Sequence, residues 1–149
     1  MNQLSELYKY FKQLADADDL VNKVMKSADL NKETIFPLVN IDIQGGGFTN
    51  GSTINFNVEL SCFNIRDINK EIITDDFWGQ DDEVDNHNLA LAVLNRMWLT
   101  MWTDFEKTNL TASENPTFEL GSFEGSKLLD GARLTFIVET PNTTIDLCQ

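Results

Sequence analysis

Apolar side chains recur along this chain in two rhythms, and each change of rhythm marks a new element. Leu4, Leu7, Tyr8, Phe11 and Leu14 return every three or four residues, with Glu6, Lys9, Lys12 and Gln13 between them. That spacing gathers the apolar set on one side of a helix. Asp16-Ala17-Asp18-Asp19 interrupts it, and Leu20 to Met25 holds too few apolar positions to fix a period, so extended backbone is the expectation there. From Val39 the period drops to two. Val39, Ile41 and Ile43 alternate with Asn40, Asp42 and Gln44, and Ile54, Phe56, Val58, Leu60 and Cys62 alternate with Asn55, Asn57, Glu59 and Ser61. Each run predicts a strand with one wet and one buried face. The stretch Gly45-Gly46-Gly47-Phe48-Thr49-Asn50-Gly51 joins them, and its Asn-Gly pair accepts the positive φ of a tight turn, which predicts an antiparallel hairpin.

Neither period holds from Asp67 to Asn86, where eight acids accompany Lys70 and Phe77-Trp78-Gly79; a long loop is expected. Leu91, Leu94, Trp98, Met101 and Phe105 then step by three and four along a second helix, with Asp85 or Asn86 as its N-cap. Val93, Met97 and Trp102 widen its apolar face, and burial against the sheet is the expected fate of Trp98 and Trp102. Phe118 with Leu120, and Leu134, Phe136 and Val138 against Arg133, Thr135, Ile137 and Glu139, close the pattern, joined by a connection that ends at Asp130-Gly131. Strands carried by hairpins, with helices before and between, predict an α+β fold: an antiparallel sheet packed by an N-terminal helix and a long central helix. The segment after Thr140 has no partner in this pattern and is expected to be an extended arm, residues 140–149.

Composition narrows the functional classes. The 149 residues, 42% of them hydrophobic, suit a single domain spanning 1–149. Acids outnumber bases 24 to 11, for a net charge of -13, so the surface repels phosphate rather than collecting it. Cys62 and Cys148 show no metal-ligand spacing, and Cys62 lies in the apolar phase of its strand. The N-terminus lacks the pattern of a signal peptide, and no apolar run approaches the roughly 18 residues of a membrane span. A soluble intracellular protein is the expectation.

Generic chemistry motifs are weak. Asp75, Asp76, Asp81, Asp82, Glu83 and Asp85 crowd together but lack the alternate spacing and glycine of a calcium loop, so solvent or a partner is expected to face them rather than Mg²⁺ or Ca²⁺. His87, the single histidine, has Asp85 nearby to orient it as a base, yet no serine or cysteine accompanies it in a nucleophile motif. Gly45-Gly46-Gly47 is followed by no Lys-Ser/Thr pair and no helix, which excludes a P-loop. Phe77 and Trp78, framed by acids, fit either an anchor for a protein partner or packing of the loop on the core. No catalytic residue, cofactor or metal is expected.

The segments Thr34-Ile35-Phe36-Pro37-Leu38-Val39, Arg66-Asp67-Ile68-Asn69-Lys70-Glu71, Thr74-Asp75-Asp76-Phe77-Trp78, Asn86 to Trp98 and Thr111-Ala112-Ser113-Glu114-Asn115-Pro116-Thr117 resemble small structural proteins of tailed bacteriophages, including crAss-like phages. The order of elements is also similar to tail-terminator and tail-completion proteins. That resemblance implies a virion subunit of the neck or tail, assembled in the host cytoplasm as a homo-oligomeric ring of six or twelve copies between portal or adaptor and tail rings. It implies that neighbouring sheets join around a channel, that 67–85 contacts the next ring or lines the channel, and that the arm clasps a neighbour. Asp75, Asp76, Phe77, Trp78, Asp81, Asp82, Pro141 and Ile145 are then the expected partner-interface residues. Packaged DNA would slide past acidic walls without specific binding. The alternatives are an acidic DNA mimic or regulatory protein that binds a basic partner, and an enzyme built around His87, Asp85 and a metal.

Overall fold

Leu7, Phe11 and Ala15 lie four apart, and their burial defines which side of the first helix faces inward. The computed structural model describes residues 3–49, 51–66, 82–108, 110–113, 115–124 and 128–141. Helix α1 spans Gln3–Asp16, followed by β1 (Lys23–Lys26), β2 (Leu38–Thr49), β3 (Thr53–Ile65), α2 (Asp82–Phe105), β4 (Thr111–Ala112), β5 (Thr117–Glu124) and β6 (Leu128–Pro141). The α+β architecture is as the hydrophobic pattern predicts.

The strands form one six-stranded sheet in the order β1-β2-β3-β6, and the far side of β6 pairs with both β4 and β5. All pairings are antiparallel except β1 with β2. Every second residue of β3 and β6 points to the helices: Val58, Leu60 and Cys62 meet Phe136, Leu134 and Ala132 in register. They join Phe11 of α1 and Val93, Met97 and Met101 of α2 in one core. Burial pushes the Cys62 thiol up to about 12, so it serves the core as a small apolar group. Arg96 of α2 forks onto Asp18 at 2.7 and 3.0 Å, tying the turn after α1 to the second helix.

Several local expectations change. Gly45, Gly46 and Gly47 lie inside β2, where the register shifts between Ile43 and Gly46, and the turn proper is Thr49 to Ser52 with Gly51 at φ 72°. The shift brings strand backbones together: a Cβ on Gly46 would fall 1.6 Å from the Asn55 carbonyl oxygen, so only glycine fits. Helix α2 already runs from Asp82, which places Asp85 and Asn86 inside it rather than at its cap. Asp130 and Gly131 belong to β6, paired with Asn64 and Phe63. Trp98 packs edge-on against Phe136, but Trp102, which shares a shallow pocket with Leu110, Thr111 and Ala112 at the β4 margin, is 38% exposed. Thr140 and Pro141 pair with Ile54 and Thr53 at the end of β6.

Candidate functional site

Three polar side chains interrupt the apolar, helix-facing side of the sheet in a single row. Asn64 on β3 stands opposite Asp130 on β6, which stands opposite Ser122 on β5. Asp130 is completely buried, and α2 begins directly above it. Arg66, just past β3, donates through Nε to Asp130 Oδ2 at 2.9 Å and through Nη2 to Oδ1 at 2.5 Å. Ser122 Oγ donates to Asp130 Oδ1 at 2.6 Å, and Asn86 Nδ2 donates to Oδ2 at 3.2 Å. Asn86 in turn accepts from Asn64 Nδ2 at 3.0 Å. Glu83, one turn before His87 on α2, meets Arg66 at 3.1 Å. Burial by itself raises the Asp130 pKa, but the hydrogen bonds from Arg66, Ser122 and Asn86 outweigh it and hold the carboxyl below its ordinary range.

Ligand atoms of Glu83, His87 and Asp130 all lie within 4.8 Å of one another, a spacing a metal ion accepts. The cation at this cluster is already Arg66, which bridges Glu83 and Asp130. A divalent ion would have to displace a guanidinium that satisfies a buried carboxylate. His87 Nε2 lies 3.2 Å from the Gly121 carbonyl oxygen, a distance that suits the Nε2–H tautomer as donor. Ser122 donates to Asp130, but that carboxylate is paired with Arg66 and held below its ordinary range, which makes it a weak base for the hydroxyl proton. The arrangement locks the start of α2 to three strands. Accordingly, neither zinc nor EDTA should move the thermal midpoint of the purified chain, whereas a metal site filled at 100 times its Kd would add about 2.7 kcal/mol. A zinc-dependent rise in the midpoint, lost in His87→Ala, would refute this.

A second surface lies at the far edge of the sheet. The outer edge of β5 pairs with no strand among the described residues. Phe118 and Leu120 project towards the helix layer but beyond the reach of α2, and remain 55% and 49% exposed. Between Phe118 and α2 runs a groove of about 480 Å³, lined by Leu91, Leu94, Trp98, Pro116, Phe118 and Leu134. The alternation of Phe118 and Leu120 predicts a strand; that this strand sits at an edge depends on a pairing order the local pattern does not carry.

The face opposite the helices is acidic. Strand alternation places Asp42, Glu59, Glu119 and Glu139 there, and Arg133 is the one lysine or arginine contained in β2, β3, β5 and β6. Of the expected interface residues, Asp82 starts α2 and Pro141 ends β6. Asp75, Asp76, Phe77, Trp78, Asp81 and Ile145 lie outside the described residues. No helix among the described residues is long and apolar enough to cross a membrane. No protein-family model matches the chain, and no curated protein matches it significantly.

Proposed function

We propose that this chain is a non-enzymatic structural subunit of a tailed-phage virion, one copy of a ring in the neck or tail. The observation that carries the reading is the outer edge of β5, unpaired among the described residues, beside an apolar groove. An open strand edge flanked by exposed Phe118 and Leu120 is an aggregation hazard in a free monomer and an asset in an assembled one. On the opposite side of the sheet β1 forms the other edge, so one copy offers two different margins. Contacts between two different margins are heterologous, and such contacts close into rings when the rotation permits. The acidic sheet face then lines or borders the DNA path, where negative walls avoid holding phosphates. Sequence resemblance supplies the phage assignment, and with it the ring of six or twelve copies and the flanking portal and tail rings.

Counting this chain against the portal subunit by quantitative mass spectrometry of purified particles tests the assignment. A fixed ratio near one, or about one half, is expected for stacked rings of related symmetry. Absence from mature particles would overturn it. The edge itself is tested by the pair Phe118→Asp and Leu120→Lys. Both side chains are exposed, so the unfolding free energy should change by no more than about 0.5 kcal/mol per site, while incorporation into particles should fall at least tenfold. Normal incorporation would remove the β5 edge from the interface.

One observation favours a second reading. Asp42, Glu59, Glu119 and Glu139 are spread across four strands on one face, as a phosphate-mimicking surface requires, rather than confined to one segment. A DNA mimic would occupy the basic cleft of a nucleic-acid-binding protein, with strong salt dependence and no incorporation into particles.

A further inference from the structure

Gly121 and Gly131 are direct cross-strand partners on β5 and β6, and they strip the acidic face of side chains at one spot. Their reasons for being glycine differ. A Cβ on Gly131 would lie 2.2 Å from the Cys62 carbonyl oxygen and 2.6 Å from the Phe63 ring, so packing demands glycine there. Over Gly121 a Cβ would meet nothing within 4 Å among the described residues, and its φ lies outside the left-handed region. Neither backbone nor packing accounts for it. Glycine weakens a strand, and in a strand it often marks the close approach of a ligand.

The space above the pair is a pocket of about 190 Å³. Phe63 walls it on the β3 side and Phe123 on the β5 side, while Arg133 and Glu119, themselves cross-strand partners, stand at its rim. Phe63 is only 5% exposed and therefore fixed. The Arg133 guanidinium carbon sits 5.8 Å from the Phe63 ring centroid, and its donors meet no carboxylate within salt-bridge distance among the described residues. A cavity of roughly 150 Å³ suffices for a benzene ring, so this pocket holds one ring with a small substituent. Two aromatic walls and a guanidinium favour an aromatic occupant through edge-to-face and cation–π contacts. A plain hydrocarbon ring would make those contacts but would strip water from Arg133 and Glu119 without replacing its hydrogen bonds. A phenol oxygen accepts from Arg133 and donates to Glu119, satisfying both, and it adds no charge to an acidic face.

We propose that the pocket over Gly121 and Gly131 binds a phenolic ring, either a tyrosine side chain of a protein partner or a free small phenol. The assignment does not depend on the ring-subunit reading. The full chain, labelled with ¹⁵N, should be titrated with N-acetyl-L-tyrosinamide, N-acetyl-L-phenylalaninamide and p-cresol. Saturable shifts of the Gly121, Phe123 and Gly131 amides are expected with the tyrosine probe, and binding about tenfold weaker with the phenylalanine probe, as loss of a hydrogen bond to charged groups implies. Tighter binding of the tyrosine probe than of p-cresol assigns the site to a tyrosine side chain, whose peptide groups then add to the affinity, and tighter binding of p-cresol assigns it to a free phenol. Gly121→Val should fold, because open space receives its side chain, and should abolish all binding. Arg133→Gln should lower the affinity of the tyrosine probe to that of the phenylalanine probe. No saturable shift with any probe, equal affinity for the phenylalanine probe, or unchanged binding by either variant would overturn the proposal.

Discussion

Asp130→Ala is expected to lower the unfolding free energy by about 3–5 kcal/mol, the range found when one partner of a buried ion pair is removed. Asp130 has no exposed surface and Arg66 little, so the alanine takes the buried carboxylate from the guanidinium and leaves it the more exposed Glu83 as a counter-charge. The same change takes the acceptor from Ser122 Oγ and one of the two acceptors from Asn86 Nδ2, which keeps only the longer bond to the Ile65 carbonyl. Urea unfolding monitored by circular dichroism measures the effect, and a loss below about 1 kcal/mol would contradict the assigned role. Asp130→Asn keeps the shape without the charge and should fall between the two. Replacing both partners, as Asp130→Leu with Arg66→Met, should recover much of the loss, since an apolar pair of similar volume avoids the desolvation cost of the ions.

The same carboxylate sets a pH dependence with a definite sign. Its folded pKa is lowered, so the unfolded chain binds the proton more readily. The stabilisation is therefore fully present above the ordinary value of 3.8 and fades as pH falls below it, through the folded value. Asp18, lowered by Arg96 against the opposing effect of burial, fades over the same acid window. In Asp130→Ala the stability lost between pH 5 and pH 2 should be smaller than in the parent chain, roughly the part contributed by one carboxylate.

Much of the fold was legible because a two-residue period over five apolar positions, Ile54 to Cys62, admits few readings. The helix-facing residues of β2 and β3 follow that period, while Leu7 and Phe11 on α1 and Leu94, Met101 and Phe105 on α2 keep the helical spacing of three and four. Local signals failed where a long-range partner overrode them. Asp130-Gly131 has the composition of a turn, yet thirteen consecutive pairings with β3 carry the strand straight through it. Triple glycine resembles a loop, but it holds a register shift inside β2. The Arg66–Asp130 pair spans 64 residues, so no spacing rule could announce it. One signal was available: Asp130 falls in phase with Ala132, Leu134, Phe136 and Val138, and an acid in the apolar phase of a strand needs a buried cation. The β5 edge and the pocket over Gly121 depend on which strands are neighbours, and local sequence leaves that open.

Phe11→Ala is expected to cost about 3–5 kcal/mol, comparable to the loss of the buried carboxylate but by a different mechanism. Phe11 has no exposed surface and meets Phe136 edge-to-face at 5.9 Å and Tyr10 at 5.5 Å. Truncation removes the apolar group through which α1 grips the middle of the sheet and leaves a cavity between two layers whose backbones are held apart by other residues. Those residues also limit the relaxation that could close it. Tyr10 Oη donates to Asp104 on α2 at 2.6 Å, and Tyr8 Oη accepts from the Ile43 backbone at 3.2 Å, so the helix stays docked at both flanks while its centre is hollow. Leu4→Ala is the control: at 41% exposure near the start of the helix, it should change stability by no more than about 0.5 kcal/mol. Because neither change touches Asp130, the acid-dependent part of the unfolding curve should be the same in Phe11→Ala as in the parent chain. A shift of that acid limb would mean that α1 supports the buried ion pair through α2, and a loss under about 1 kcal/mol would mean that α1 adds little to the core.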